Sequence, residues 1–369
     1  MIRRALLAAL AALPSLPARA ATEPRRETWR DGARGRDLPV LVRLPEARGP
    51  RPAVILSHGL GGSREGLAYL GTALADAGFV AIHLQHPGSD DAVWRGVAQR
   101  GPALAAAALD VGNAVARLQD GIFAVGEVQR RSAAPGLALS GRVDPALLAM
   151  AGHSYGAWLV QHMLGQRIPG GDRGLALPER RLRAGILLSP SPPRGIPPRL
   201  AFARVEVPIL HVTGTEDQGW LEGATPADRE MPFRYIEGPP QALAVLDGAT
   251  HAAFAGEPGA GPRWEDPAFH PRTAGLAVLF LRAVLLRDQA AAAILRAGAP
   301  GLVAEGDRLE VKGFCGAAPV ARPRYKLRIA SPVGSRIPNF AMVLQARSYC
   351  GGPFRASTRP SSTAARIGQ

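Results

Sequence analysis

The chain has 369 residues, two cysteines and a formal net charge of +14. That charge suggests a nucleic-acid partner, but residues 1–36 carry a net charge of +5 and residues 313–369 carry +9, whereas residues 37–312 hold 27 basic and 27 acidic residues. Because a polyanion-binding surface belongs on the folded domain, we expect no nucleic-acid partner. No His, Cys or acidic cluster has metal-ligand spacing, so we also expect no metal.

The N-terminal residues predict an export signal. Arg3 and Arg4 precede an apolar run over 5–13, and residues 17–20 end in an Ala-x-Ala pattern. These are the marks of a secretory signal peptide, and the apolar run is too short to span a bilayer. We expect residues 1–20 to be removed and the mature protein to be periplasmic or secreted. The arginine pair leaves both general and twin-arginine export open.

From residue 37 to 312, strand and helix patterns alternate, which predicts a mostly parallel central sheet with helices on both faces. The predicted strands are 38–44, 52–56, 79–84, 146–151, 184–188, 208–212 and 242–246. The predicted helices are one that follows a cap at Ser63, then 104–118, 157–164 and 272–286. About this length of chain is enough for one sizeable α/β core.

Residues 313–369 have a different composition. They are rich in arginine, proline and serine, contain no acid and show no sustained periodicity, which predicts a disordered, basic tail. This positive charge suggests that the tail makes weak electrostatic contact with anionic surfaces. Cys315 and Cys350 both lie here; a disulfide between them is allowed in an oxidising compartment, but their spacing does not establish it.

The most informative stretch is the pentapeptide Gly-His-Ser-Tyr-Gly over 152–156, between a predicted strand and a predicted helix. A serine on such a sharp turn projects clear of the sheet, and the turn leaves no room for side chains two residues to either side. The pentapeptide alone is weak evidence, but its strand–turn–helix context predicts that Ser154 is a nucleophile.

A nucleophilic serine needs a base, and the base needs an orienting carboxylate. Asp217 and His251 each follow a predicted strand, at the edge of the sheet where Ser154 is expected. The order Ser–Asp–His is that of an α/β-hydrolase. Glu216 is an alternative acid, and Asp247 is expected to brace the histidine loop.

The other histidines are weaker candidates for the base. His58 belongs to a glycine-rich turn, and His153 lies inside the elbow with its side chain directed away from Ser154. The remaining ones are expected to be structural or solvated: His83, His86, His162, His211 and His270.

Residues 57–62, Ser-His-Gly-Leu-Gly-Gly, follow the strand 52–56. Small residues there let backbone N–H groups face a bound carbonyl oxygen, so the N–H groups of Leu60 and Tyr155 are the predicted oxyanion hole. A phosphate-binding loop is disfavoured, because the Gly-x-Gly-x-x-Gly spacing and the P-loop lysine are both missing. We expect no cofactor.

Together with His-Pro-Gly-Ser-Asp at 86–90 and Gly-Thr-Glu-Asp at 214–217, these motifs resemble bacterial α/β-hydrolases labelled predicted dienelactone hydrolases. Those proteins are similar to platelet-activating-factor acetylhydrolases and polyester-hydrolysing cutinases. The resemblance covers about residues 37–312 and implies an α/β-hydrolase fold. It also implies Ser154 as nucleophile, His251 as base, and Leu60 and Tyr155 as oxyanion donors.

Two departures from that family matter. True dienelactone hydrolases use a cysteine nucleophile, so the family label says little about the substrate here. The acetylhydrolases carry their acid after the strand that follows the elbow, where this chain has Ser-Pro-Ser-Pro-Pro at 189–193. The acid must therefore come one strand later, which supports Asp217.

The sequence thus predicts an exported serine hydrolase that cleaves a small-molecule or lipid-like carboxylic ester. Leu60, Trp94, Tyr155 and Trp220 are candidates for an acyl-binding surface, and each is equally compatible with core packing. A lactonase or peptidase using the same three residues is an alternative. So is a non-catalytic relative that binds a ligand or partner.

Overall fold

The computed structural model describes residues 23–170, 174–176, 178–219, 221, 223–256 and 266–314. The predicted signal peptide, Trp220, both cysteines and nearly all of the predicted tail lie outside these residues. None of the helices within the described ranges has the length and apolar character needed to cross a membrane.

A mixed, mostly parallel sheet forms the centre of the described chain. Its strands are β1 (Arg25–Asp31), β2 (Arg36–Arg43), β3 (Arg51–Ser57), β4 (Val80–Leu84), β5 (Val143–His153), β6 (Leu182–Leu188), β7 (Ile209–Glu216), β8 (Gln241–Thr250) and β9 (Arg308–Lys312). Their spatial order is β1-β2-β4-β3-β5-β6-β7-β8-β9. Neighbours from β4 to β8 pair in parallel, and the pairs β1/β2, β2/β4 and β8/β9 are antiparallel. Every predicted strand is present.

Helices cover both faces of this sheet, as expected for an α/β protein. The described helices are α1 (Ala68–Asp76), α2 (Arg100–Leu109), α3 (Val111–Ala133), α4 (Tyr155–Met163), α5 (Pro198–Ala201), α6 (Pro226–Arg229), α7 (Met231–Tyr235), α8 (His270–Leu285) and α9 (Gln289–Arg296). Along β3, Ala53 and Ile55 join the core beneath α3 and α4. Val54 and Leu56 join the opposite core with α1 and α8. This alternation explains why the strand is apolar throughout.

Two helix predictions are wrong in detail. Ser63 does not cap α1, which begins after Leu67; the Ser63 hydroxyl instead accepts from the backbone N–H of Glu65. The predicted helix over 104–118 is interrupted at Asp110, which has an extended backbone and caps α3 by accepting from the Gly112 N–H. Aspartate is a favoured cap, and here the cap prevails over the regular apolar spacing.

Both predicted boundaries of the domain move outward. Strand β1 lies before residue 37, pairs along its length with β2 and buries Trp29 completely. At the other end, Phe314 packs on the α8 core, with its ring centroid 6.1 Å from that of Phe280. The folded unit therefore extends from at least Arg25 to Phe314. Strands β1 and β9 and helix α9 were not predicted; β9 has only five residues and α9 only eight, so each gives a short sequence signal.

Candidate active site

Ser154 lies on a strained turn between β5 and α4. Its backbone angles are φ 52° and ψ −113°, a conformation that costs energy for a residue with a side chain. A Cβ atom on Gly152 would lie 2.3 Å from the carbonyl of Gly156, and one on Gly156 would lie 2.0 Å from the Ser57 carbonyl oxygen. Only hydrogen fits at either position, so the predicted steric role of both glycines is confirmed.

The three residues predicted to form a triad are within hydrogen-bond distance of one another. His251 Nε2 lies 2.8 Å from Ser154 Oγ, and His251 Nδ1 lies 2.7 Å from Asp217 Oδ1. They follow the carboxyl ends of β5, β8 and β7, which lie at one edge of the sheet. Because the Asp217 carboxylate accepts the Nδ1–H, Nε2 is left to accept the serine proton.

Asp217 is fully buried, whereas Glu216 beside it is exposed. Thr213 donates its hydroxyl to Asp217 Oδ2 at 2.7 Å, and Arg229 Nε lies 3.4 Å from Oδ1. Burial alone would raise the pKa of the carboxyl, but the hydrogen bond from His251 and the charges of His251 and Arg229 outweigh it and hold that pKa at about 2. Asp217, not Glu216, is therefore the ionised partner of His251.

Arg229 was not identified from the sequence. It is completely buried, at the end of the four-residue helix α6, and donates to the Pro190 carbonyl at 3.2 Å. Its Nη2 also lies 3.4 Å from His251 Nδ1. No motif surrounds it in the chain, so only the fold reveals that this arginine lies beside the acid.

His153 connects the elbow to the histidine loop. Its ring is buried and its Nε2 donates to the backbone carbonyl of His251 at 2.8 Å. Burial lowers the pKa of His153 to about 3, so it is a neutral donor. The predicted orientation away from Ser154 agrees with this contact, but the role of His153 in holding the His251 backbone was missed.

The loop over 57–62 lies beside the elbow, as predicted. The N–H of Gly61 donates to the Ser89 carbonyl at 2.9 Å. By contrast, the N–H groups of Leu60 and Tyr155 donate to no acceptor among the described residues. Tyr155 begins α4, and the first N–H of a helix has no intrahelical partner. The loop and the elbow therefore each present one N–H donor without an acceptor among the described residues.

A second set of hydrogen-bonded Ser, His and Asp side chains packs against this loop; we call each such set a relay and name it by its serine. His86 Nε2 is 3.0 Å from Ser57 Oγ, and His86 Nδ1 is 3.1 Å from Asp120 Oδ2. All three side chains are completely buried, and Arg36 donates to both oxygens of Asp120 at 2.9 and 3.0 Å. Burial lowers the pKa of His86 to about 4, so its ring is neutral. His86 is thus a structural histidine, as predicted.

The described candidates for an acyl-binding surface lie in different environments. The Trp94 indole N–H donates to the Gly61 carbonyl at 2.6 Å, so this side chain packs on the loop over 57–62. Leu60 and Tyr155 are partly exposed, and Tyr155 directly follows Ser154 in the chain, while Trp220 lies outside the described residues.

The arrangement combines a hydroxyl within hydrogen-bond distance of an imidazole, a buried carboxylate that orients the imidazole, and N–H groups at Leu60 and Tyr155 that have no acceptor among the described residues. In the described part of the chain, no set of three or more His, Cys, Asp or Glu side chains is arranged to hold a metal ion. No protein-family model matches this chain, and no curated protein matches it.

Proposed function

We propose that this protein is an exported serine hydrolase of the α/β-hydrolase fold that cleaves a carboxylic ester through an acyl-enzyme. The observation that carries the proposal is the relay from Ser154 through His251 to the buried Asp217, on a strained elbow next to two unused N–H donors. Nucleophile, base, orienting acid and oxyanion donors are the parts that acyl transfer requires. The proposed export rests on the N-terminal sequence alone.

In the first half-reaction, Ser154 Oγ attacks the acyl carbon while His251 Nε2 takes the serine proton. The carbonyl π electrons move to oxygen, and the N–H groups of Leu60 and Tyr155 stabilise the resulting negative charge. Asp217 stabilises the imidazolium. When the tetrahedral intermediate collapses, the C–O bond to the alcohol breaks and the leaving oxygen takes the proton from His251 Nε2.

In the second half-reaction, water replaces the alcohol. His251 Nε2 removes a proton from water as its oxygen attacks the acyl-enzyme, and the same oxyanion donors hold the new intermediate. Breaking the bond between the acyl carbon and Ser154 Oγ returns the proton to serine and releases the acid. No redox step occurs.

The test combines turnover with labelling. Wild-type protein and Ser154→Ala would be assayed on p-nitrophenyl esters from acetate to palmitate, on lactones and on peptide amides, and then treated with a fluorophosphonate probe. We expect ester hydrolysis, one label at Ser154 by peptide mass spectrometry, and a loss of about 10³-fold or more in the alanine variant. Hydrolysis of lactones or amides without esters would reassign the reaction. Absence of both turnover and labelling would refute catalysis at Ser154.

A further inference from the structure

Arg117, on α3, is the most unusual buried charge outside the Ser154 site. Its side chain is completely buried, and no carboxylate among the described residues forms an ion pair with it. Its guanidinium donates to Ser89 Oγ at 2.8 Å, the His58 carbonyl at 2.9 Å, the Gly59 carbonyl at 3.2 Å, and more weakly to Ser57 Oγ at 3.4 Å and the Ser89 carbonyl at 3.5 Å. Every one of these acceptors lies in, or supports, the loop over 57–62.

The contact with the Gly59 carbonyl fixes a specific peptide unit. A peptide bond is planar and trans, so the C=O of Gly59 and the N–H of Leu60 point in opposite directions. His58 Nδ1 also donates to this carbonyl, at 2.6 Å. With its oxygen held toward Arg117 and His58, the unit must direct the Leu60 N–H the other way. That N–H is one of the two unused donors at the elbow.

Arg117 also contacts the side chain of Tyr155, whose backbone N–H is the other predicted oxyanion donor. Its guanidinium carbon lies 4.4 Å from the centre of the Tyr155 ring, a cation–π distance. A buried arginine with only neutral acceptors carries a large desolvation cost, and an apolar side chain would fill the same space without it. The planar guanidinium of arginine can donate to two successive carbonyls at once, and an apolar side chain cannot.

We propose that Arg117 is a positioning residue of the oxyanion hole, acting through the Gly59–Leu60 peptide unit and the Tyr155 ring. This inference rests on the proposed hydrolase function. Arg117 touches no substrate: it holds the Gly59 carbonyl so that the Leu60 N–H is aimed before substrate arrives, and its charge polarises that peptide toward stronger donation.

The test compares Arg117→Met and Arg117→Lys with Arg130→Met, a control on the same helix whose exposed side chain pairs with Glu127. Removing an oxyanion donor costs about 10²–10³ in kcat, so misaiming one in Arg117→Met should cost about 10–100-fold. KM should change less than about threefold. The affinity for a boronic acid transition-state analogue should fall by the same factor as kcat/KM. Lysine keeps the charge without the fork, so its loss should be smaller.

A merely structural arginine would lower the melting temperature but leave kcat per labelled site and boronate affinity unchanged, and that result would overturn the proposal. If Arg117→Met does not fold, a crystal structure of the wild-type boronate adduct decides. We expect Leu60 N–H on the boronate oxygen and Arg117 on the Gly59 carbonyl; a Leu60 N–H directed elsewhere would refute the proposal. Wild-type protein that neither turns over esters nor labels at Ser154 would instead refute the underlying function.

Discussion

The described part of the chain contains two Ser–His–Asp relays of similar geometry in very different surroundings. In the relay of Ser154, the serine–histidine and histidine–aspartate distances are 2.8 and 2.7 Å; in the relay of Ser57 they are 3.0 and 3.1 Å. Ser57 ends an ordinary strand and is fully buried. Ser154 is partly exposed and has a backbone φ of 52°.

The comparison shows that two sets of side chains can share the same hydrogen-bond distances and differ in their surroundings. Three side chains at hydrogen-bond distances occur in both relays, so the distances alone do not define a nucleophile. The relay of Ser154 adds solvent access, a strained elbow and two unused N–H donors. In the relay of Ser57, the hydroxyl also lies 3.4 Å from Arg117, which itself donates to the His58 carbonyl, so this serine is part of the packing that supports the loop.

The largest expected difference is between the two serines. Ser154→Ala should lose about 10³-fold or more in kcat with little change in melting temperature, because the proposed nucleophile is removed from a partly exposed position. Ser57→Ala should lower the free energy of unfolding by about 1–3 kcal/mol, because the buried His86 loses a partner. Activity assays and denaturant melts on both variants check this. Equal loss of kcat in both would erase the distinction between the relays.

Amide substitutions of the two aspartates should likewise affect different properties, kcat in one case and stability in the other. Asp217→Asn should lower kcat by about 10⁴-fold, because the amide favours the wrong tautomer of His251, with Glu216→Gln as the matched control near wild-type activity. Asp120→Asn should instead destabilise the fold by about 1–3 kcal/mol, since the partly buried Arg34 and Arg36 both lose their carboxylate partner. Should Glu216→Gln prove more damaging than Asp217→Asn, the assignment of the acid is wrong.

Acid should unfold the protein through its buried histidines. Six of the eight have pKa values lowered by burial: His58, His83, His86, His153, His162 and His211. Below about pH 6.5 these histidines are protonated in the unfolded chain but stay neutral in the folded protein. The free energy of unfolding therefore decreases as the pH is lowered, down to the folded-state pKa values, which are about 3 for His83 and about 4 for His86.

Each such histidine removes about 1.4 kcal/mol of stability per pH unit in that window. Urea unfolding at pH 7.5, 6 and 5 measures the slope, and His86→Gln should reduce it. An unfolding free energy that stays constant from pH 7 to 5 would contradict the buried, neutral state of these rings.

The smallest effect is expected from removing the C-terminal residues after 314, which include no candidate catalytic residue. A chain ending at Phe314 should match the full-length protein in kcat/KM and melting temperature. A chain ending at Lys312 should melt several degrees lower, because the contact of Phe314 with the α8 core is lost. A large loss of activity in the longer truncation would place a functional segment beyond residue 314.

The parallel strands and the Ser154 relay were predictable because they follow local rules. A buried parallel strand is a short apolar run, and the elbow glycines are dictated by contacts within one turn. Arg117, Arg229 and the relay of Ser57 were not predictable, since their partners lie on other elements and depend on how α3 and α6 pack. Asp110 shows the remaining difficulty: a capping side chain broke a helix whose apolar spacing continues across it.

The outer strands of the described sheet, β1 and β9, have a consequence for the behaviour of the protein at high concentration. An unpaired strand edge invites pairing with another molecule, and charged side chains oppose this. The two strands have the sequences RRETWRD and RLEVK, and Arg25, Arg26 and Arg308 are exposed. A second molecule adding a strand at either edge would have to desolvate these charges. The exposed arginines of β1 and β9 therefore protect both edges of the described sheet against edge-to-edge aggregation.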